Sequence, residues 1–409
     1  MSNPLILYDN RLDDGTPTAT ATESGYSVIY LRDWKTYTFW KGDTTDPSYV
    51  TVDCGEGTIA VTGDNLCTNG ADFTGGPPPT GWTAYDSTLA TAAGGEAGNC
   101  LEVTSTGGTE QGAYQALTLT TGKSYRVTGY VKSGTAGDDL YKVQIFNDDG
   151  SCGYVDGTSS GAWVAFSVDC FYEGGANPRV VLTKNTTHAA SPGTMLFDTI
   201  VVKELTNVPM ANTLGIHTHN LNTVAATISV EASSDNVTWN EILAGFAPSD
   251  NLNIVKSFGT DYYARYWRLK IASHTAAPQM GILTIGEALD FPSPPKTQVD
   301  IYEVSVSGEG SLSKTGQLLG ATVRNKPVEI NYTFAGNDYT YTWVSGDYRD
   351  FWEDHASEMK PFFFALDLTN FTDMHWLCRI QPDSSWKVPM MFKTRVEEVE
   401  INFEALWGV

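Results

Sequence analysis

Ala264-Arg265-Tyr266-Trp267-Arg268-Leu269-Lys270-Ile271 is the stretch on which the fold turns. Trp267, Leu269 and Ile271 fall on one side of an extended chain, and Tyr266, Arg268 and Lys270 on the other. This period of two is the signature of a strand with one face in a core and one in water. The same alternation recurs in Ile228, Val230 and Ala232 against Ser229 and Glu231. It appears again in Tyr339, Tyr341 and Trp343, and in Val399, Ile401 and Phe403. Short turns such as Asn147-Asp-Asp-Gly150 and Ser234-Asp-Asn236 separate such runs, which favours antiparallel neighbours. The chain therefore reads as mainly β. One segment departs from the pattern. From residue 346 to 360, Tyr348, Phe351, Trp352, His355 and Met359 recur at helical spacing. Ser345 is placed to cap this helix and Pro361 to end it.

Composition narrows the function. The 409 residues suggest two to four domains at about 150 residues each. Lys and Arg total 25 against 48 Asp and Glu, a net charge of −23, which repels phosphate backbones and anionic headgroups. Nucleic-acid binding and membrane insertion are accordingly not expected, and no apolar run approaches the roughly 20 residues that span a bilayer. The opening Met1-Ser-Asn-Pro-Leu-Ile-Leu-Tyr-Asp9 lacks the basic stretch and long apolar run of a secretory leader. Export without a leader, or release by lysis inside a particle, is the expectation. The six cysteines form no CxxC pair and read as buried free thiols, with Cys152 and Cys170 the pair to test for a bridge.

Two seams divide the chain. Phe291-Pro-Ser-Pro-Pro-Lys296 is a stiff linker before a last domain, 296–409. A Gly- and Thr-rich region, 56–206, differs from the sequence on either side.

The flanks, 1–55 and 207–292, resemble a discoidin-like β-sandwich. The resemblance rests on Tyr37-Thr-Phe-Trp-Lys41, Tyr49-Val-Thr-Val-Asp-Cys-Gly55, Leu214-Gly-Ile-His-Thr-His-Asn220, Ser233-Ser-Asp-Asn-Val-Thr-Trp239 and the 264–271 stretch, in order. The region between resembles a jelly-roll carbohydrate-binding module, through Asn65-Leu-Cys-Thr-Asn-Gly-Ala-Asp-Phe73, Gly81-Trp82, Lys123 to Val131, Trp163 to Val168 and Phe197-Asp-Thr-Ile-Val-Val202. Such an insertion is tolerated where its two ends lie close together. The last domain is similar to the ring-forming β-barrel domain, with one α-helix, of siphophage distal tail and tail-tip proteins, through Lys360-Pro-Phe-Phe-Phe-Ala-Leu-Asp367. That resemblance implies a virion protein of the tail tip or baseplate, assembled in the host cytoplasm. It implies a homo-oligomeric ring, a hexamer before a trimer, with the tail tube, the tail hub and host cell-surface glycans as partners. A secreted or surface carbohydrate-binding protein and a polysaccharide depolymerase are the alternatives.

Alternation also nominates site residues. In Tyr125 to Lys132, Arg126, Thr128 and Tyr130 face away from the core. In Tyr141 to Asn147, Lys142, Gln144 and Phe146 do the same. Aromatic rings accept the C–H faces of sugars while amides and guanidinium groups bind hydroxyls, so Tyr130, Phe146, Gln144 and Arg126 are candidate glycan contacts, with Trp82 and Tyr85 on the rim. The jelly-roll resemblance implies a structural calcium, with Asp72 and Asp198 at the matching places and Thr74 where the family has glutamate. His217-Thr-His219 sets two imidazoles on one strand without a third ligand. No P-loop or HExxH motif occurs, and the chain reads as non-enzymatic.

Overall fold

A computed structural model describes residues 3–57, 59–107, 110–135, 140–184, 192–291, 303–304, 307–315, 317–325, 328–338, 347–381 and 395–406. Trp267, Leu269 and Ile271 are fully buried, and Tyr266, Arg268 and Lys270 are half-exposed. Their strand, Tyr266–Ser273, lies in a five-stranded antiparallel sheet between Thr227–Ser233 and Ser48–Asp53, with Asn240–Phe246 and Thr18–Ala19 at its edges. A four-stranded sheet packs on it, ordered Ile254–Tyr263, Met210–His219, Gln279–Gly286 and Trp40–Lys41. Trp40, Leu214, Ile216 and Leu283 from this sheet meet Val230, Trp267 and Leu269 in one core. Ser229 and Glu231, expected to face water, are 2% and 5% exposed, because neighbouring side chains cover this outer face.

Ser48–Asp53 leads into the insert, whose first and last strands are hydrogen-bonded neighbours, with Ala60–Thr62 pairing Glu204 to Thr206. Adjacent ends let the inserted sandwich form without distorting its host. One of its sheets runs Val164–Tyr172, Lys123–Ser133, Gly193–Thr206, Asn99–Ser105 and Thr88–Ala93, with Ala60–Thr62 beside Gly193–Thr206. The other runs Gly150–Thr158, Leu140–Asn147, Arg179–Lys184, Gln111–Ala116 and Thr83–Tyr85. Val127, Val131, Val143, Ile145, Leu182 and Phe197 fill the space between the sheets. The turn at Gly122 docks the insert on its host. Gly122 has φ +83°, and a Cβ there would lie 2.3 Å from the Asp261 carbonyl oxygen, so only glycine fits. Ser124 beside it hydrogen-bonds to Ser234 and to the Tyr263 carbonyl at 2.7 and 2.6 Å.

The last sheet has seven strands, ordered Ala288–Asp290, Leu5–Leu7, Phe362–Asp367, Phe371–Ile380, Arg395–Leu406, Val328–Asp338 and Glu303–Val304. The first strand of the chain thus pairs with residues 288–290 and 362–367, and not within the sandwich that follows it. All six residues of Phe362–Asp367 are buried because both faces of the strand are covered. Phe362 and Phe364 meet Tyr348, Phe351 and Phe403 on one side. Phe363 and Ala365 meet Trp34, Val255 and Ile282 of the first sandwich on the other. Gly215 permits this layer to approach, since a Cβ there would sit 2.6 Å from the Phe363 ring.

Two expectations are corrected. Among the described residues this sheet is open and not a closed barrel, ending at Ala288–Asp290 and Glu303–Val304. The 346–360 segment is helical but not one α-helix. It is α-helical over Asp347–Asp350, widens over Phe351–His355, where the Ala356 N–H reaches the Phe351 carbonyl, and tightens over Ala356–Glu358. Phe351 and His355 are both buried along it, and Met359, at φ 59°, ends the segment. Ser345 and the Tyr339, Tyr341 and Trp343 run lie outside the described residues, as do residues 292–296 of the linker. All six cysteines are free, and Cys170 donates to the Gly153 carbonyl at 3.4 Å. Burial pushes the Cys152 thiol up to about 12. No helix among the described residues is long and apolar enough to cross a membrane.

Candidate functional site

Tyr141, Val143 and Ile145 point into the insert's core, so Lys142, Gln144 and Phe146 project from the opposite face of their sheet. Cross-strand register extends this face. Tyr154, Gln144, Val181, Tyr114 and Thr83 form one row across five strands. Asp156, Lys142, Thr183, Gly112 and Tyr85 form the next. Tyr154 and Tyr114 stand three strand spacings apart, roughly 14 Å. Gln144 and Val181, each 6% exposed, form the floor between them. Gly112 is glycine because a Cβ there would lie 1.9 Å from the Leu182 carbonyl oxygen, and Tyr85, paired with it, is 39% exposed on the edge strand.

Cations order the rings. The Lys142 ammonium lies 4.6 Å from the Tyr154 ring centre. The Arg179 guanidinium lies 5.0 Å from Phe146 and 5.8 Å from Tyr114, with Asp148 as its ion-pair partner at 3.3 Å. These contacts pre-organise the aromatic walls at small entropic cost. On the floor, Gln144 Oε1 is buried and has no hydrogen-bond partner among the described residues. An unsatisfied buried acceptor costs about 1–3 kcal/mol, and a hydroxyl donated by a ligand would remove that cost.

The nominated residues divide between places. Gln144, Phe146 and Tyr85 share the face just described. Tyr130 and Arg126 lie on the other sheet of the sandwich, facing the opposite direction, and cannot touch the same ligand. Arg126 is engaged there by Asp169 through two hydrogen bonds at 2.5 and 2.7 Å. Trp82 is not on a rim. It is 2% exposed in the core, its ring 5.6 Å from Phe73 and its N–H donated to the Asn69 carbonyl at 3.2 Å. Tyr114, Tyr154 and Arg179 were not nominated. Arg179 was legible, since Val180 and Leu182 in Arg179-Val-Val-Leu-Thr183 mark the inward side. Tyr154 was masked by a bulge at Cys152 that breaks the alternation of its strand.

Asp72 and Asp198 converge on the turn between Thr88–Ala93 and Asn99–Ser105. Asp198, fully buried, accepts from the Ala97 and Thr199 N–H groups at 2.8 and 2.7 Å. Asp72 accepts from the Asn99 N–H at 3.1 Å. A buried carboxylate without an ion-pair partner among the described residues suits a hard cation in kind. The two carboxylates alone fall short of the roughly six to eight oxygens calcium takes. Among the described residues no group of three His, Cys, Asp or Glu is placed to hold a metal ion. His217 and His219 serve the fold instead, bonding Asn253 Oδ1 at 2.6 Å and the Leu252 carbonyl at 2.5 Å.

No protein-family model matches the chain, and no curated protein matches it. Among solved structures it is similar to the CBM22-1 xylan-binding domain of Xyn10C from Paenibacillus barcinonensis, at 23% identity and a TM-score of 0.29 over 36% of this chain and 97% of that one. A CBM4 structure matches at 13% identity and a TM-score of 0.27, over 31% of this chain and 96% of that one. The enzymatically active domain of tailspike protein 4 from bacteriophage CBA120 matches at 14% identity and a TM-score of 0.27, over 34% of this chain and 21% of that one.

Proposed function

We propose that the chain binds glycans through the Tyr154–Gln144–Tyr114 face of the insert and acts as an attachment subunit, not as an enzyme. The observation that carries this reading is the buried Gln144 Oε1, without a hydrogen-bond partner among the described residues, between aromatic walls. A flat sugar chain presents the hydroxyls that this acceptor lacks and the C–H faces that the rings accept. The test is a glycan array together with host cell walls. Tyr154→Ala is expected to weaken binding about tenfold, or about 1.4 kcal/mol. Gln144→Leu is expected to raise the melting temperature while weakening binding, because it removes the same unsatisfied group that the ligand would complete. A blank array with blank cell walls, or unchanged affinity in both variants, removes the reading.

The larger assembly is proposed to be a ring at the tip of a phage tail, of six copies before three, docked on the tail tube and hub. Support comes from the 360–367 run and from a C-terminal sheet that, among the described residues, has two open edges. A ring multiplies a weak sugar contact by raising the effective concentration at the remaining sites. Negative-stain images of the purified protein and of particles that show only monomers would exclude it. Reducing-end release from a host polysaccharide would favour the depolymerase alternative.

Asp72 and Asp198 are proposed to hold a structural calcium whose remaining ligands are backbone carbonyls and water. Calcium added to chelator-treated protein is then expected to raise the melting temperature of wild type and not of Asp198→Asn. Equal melting with calcium and with chelator would remove the cation.

A further inference from the structure

We propose a second binding face, on the first sandwich, for a saccharide that carries a single negative charge per repeat. Its centre is Arg268, on the outer side of Tyr266–Ser273. The guanidinium carbon lies 4.0 Å from the Trp239 ring centre and 4.4 Å from that of Tyr49, so a ring from the loop before Asn240–Phe246 and a ring from Ser48–Asp53 hold it. Beneath it, Glu231, 5% exposed, accepts from Arg268 Nε at 2.5 Å and from Lys270 Nζ at 2.9 Å. One carboxylate thus anchors two cations, and Glu241, exposed opposite Glu231 on the next strand, lies on the side away from Arg268. Glu231 uses only Nε of the guanidinium, and the terminal Nη nitrogens have no hydrogen-bond partner among the described residues. A fork held between two rings with Nη groups free among the described residues binds a planar or tetrahedral monoanion with two parallel hydrogen bonds. Tyr49, Trp239, Tyr266 and Lys270 are all half-exposed around it, so sugar rings on either side of the anion meet aromatic surface and an ammonium. A single guanidinium offers one pair of parallel N–H groups, which matches one anionic group per repeat, a uronate or a sugar or polyol phosphodiester.

This face is separate from that of the insert, and the experiment keeps them apart. Full-length protein carrying Tyr154→Ala, which weakens the insert's face about tenfold, is run by affinity electrophoresis through gels containing polygalacturonate, poly(glycerol phosphate) or neutral galactan. Retardation by one or both acidic polymers, weakening as salt rises, and none by galactan is expected; the polymer that retards identifies the anion as carboxylate or phosphodiester. Arg268→Gln is expected to lower the affinity at least tenfold. Lys270→Gln, at a half-exposed position where folding is retained, is expected to lower it several-fold and to flatten the salt dependence. Both variants are compared only where their melting curves overlay that of the parent. Mobility unchanged by both acidic polymers, equal retardation by galactan, or full retention in Lys270→Gln would overturn the proposal.

Discussion

Trp267→Ala is expected to destabilise the first sandwich by about 3–5 kcal/mol, enough to unfold much of it at room temperature. The ring is fully buried where the two sheets meet, and its N–H donates to the Ala264 carbonyl at 2.9 Å. Truncation leaves a cavity among Trp40, Leu214 and Leu269 and orphans that carbonyl together. Urea denaturation followed by fluorescence measures it, with Tyr37→Ala, at a residue 77% exposed, expected to stay within about 0.5 kcal/mol of wild type. A Trp267→Ala loss below about 1 kcal/mol would mean that the sheets are not locked by this side chain.

Acid is expected to weaken the C-terminal layer through His355. The ring is packed against Tyr8, Phe351 and Trp34, and burial, reinforced by Lys360, lowers its proton affinity to about 4 against an ordinary 6.5. The Pro361 carbonyl, 2.7 Å from Nε2, and Glu358 oppose the shift only in part. Above pH 6.5 both folded and unfolded forms are neutral and the contribution is complete. As pH falls below that value the unfolded chain takes a proton that the folded one refuses, so stability drops until the folded group titrates near 4. Each pH unit in that window removes about 1.4 kcal/mol, so the full loss is about 3 kcal/mol. His217 and His219, lowered by burial, add in the same direction. Asp13, Glu173 and Asp290, whose carboxyls burial pushes up, act in the opposite sense. Chemical denaturation at pH 7.5 and pH 5 should show wild type losing about 2 kcal/mol more than His355→Gln. Parallel losses in the two proteins would assign the acid sensitivity elsewhere.

Within single strands, the sequence was a good guide to which side chains face inward. Trp267, Leu269 and Ile271, or Tyr141, Val143 and Ile145, are buried as alternation requires. The turn residues around Asn147 and Ser234 separate strands as expected. The limits lay where one strand's outward face meets another's. Arg126 and Tyr130 looked equivalent to Gln144 and Phe146, yet their strands belong to opposite sheets. The Gly81-Trp82 pair offered no alternation to show that Trp82 turns inward, and the bulge at Cys152 hid Tyr154.

Alternation of apolar and polar residues, by itself, settled that this is a mainly-β chain and which half of most strands faces the core, because both follow from the two-residue repeat of an extended backbone; that the outer side chains of Ser229 and Glu231 are covered too depends on their neighbours. Which strands lie side by side is a different matter. Leu5 pairs with Ala365 and with Asp290, and Tyr154 shares a face with Tyr114, through contacts whose partners lie far along the chain or in another strand. Nothing local distinguishes such a partner from any other strand of like pattern. The packed layers select it, by burying both faces of Phe362–Asp367 at once and by setting Gln144 between rings from separate strands.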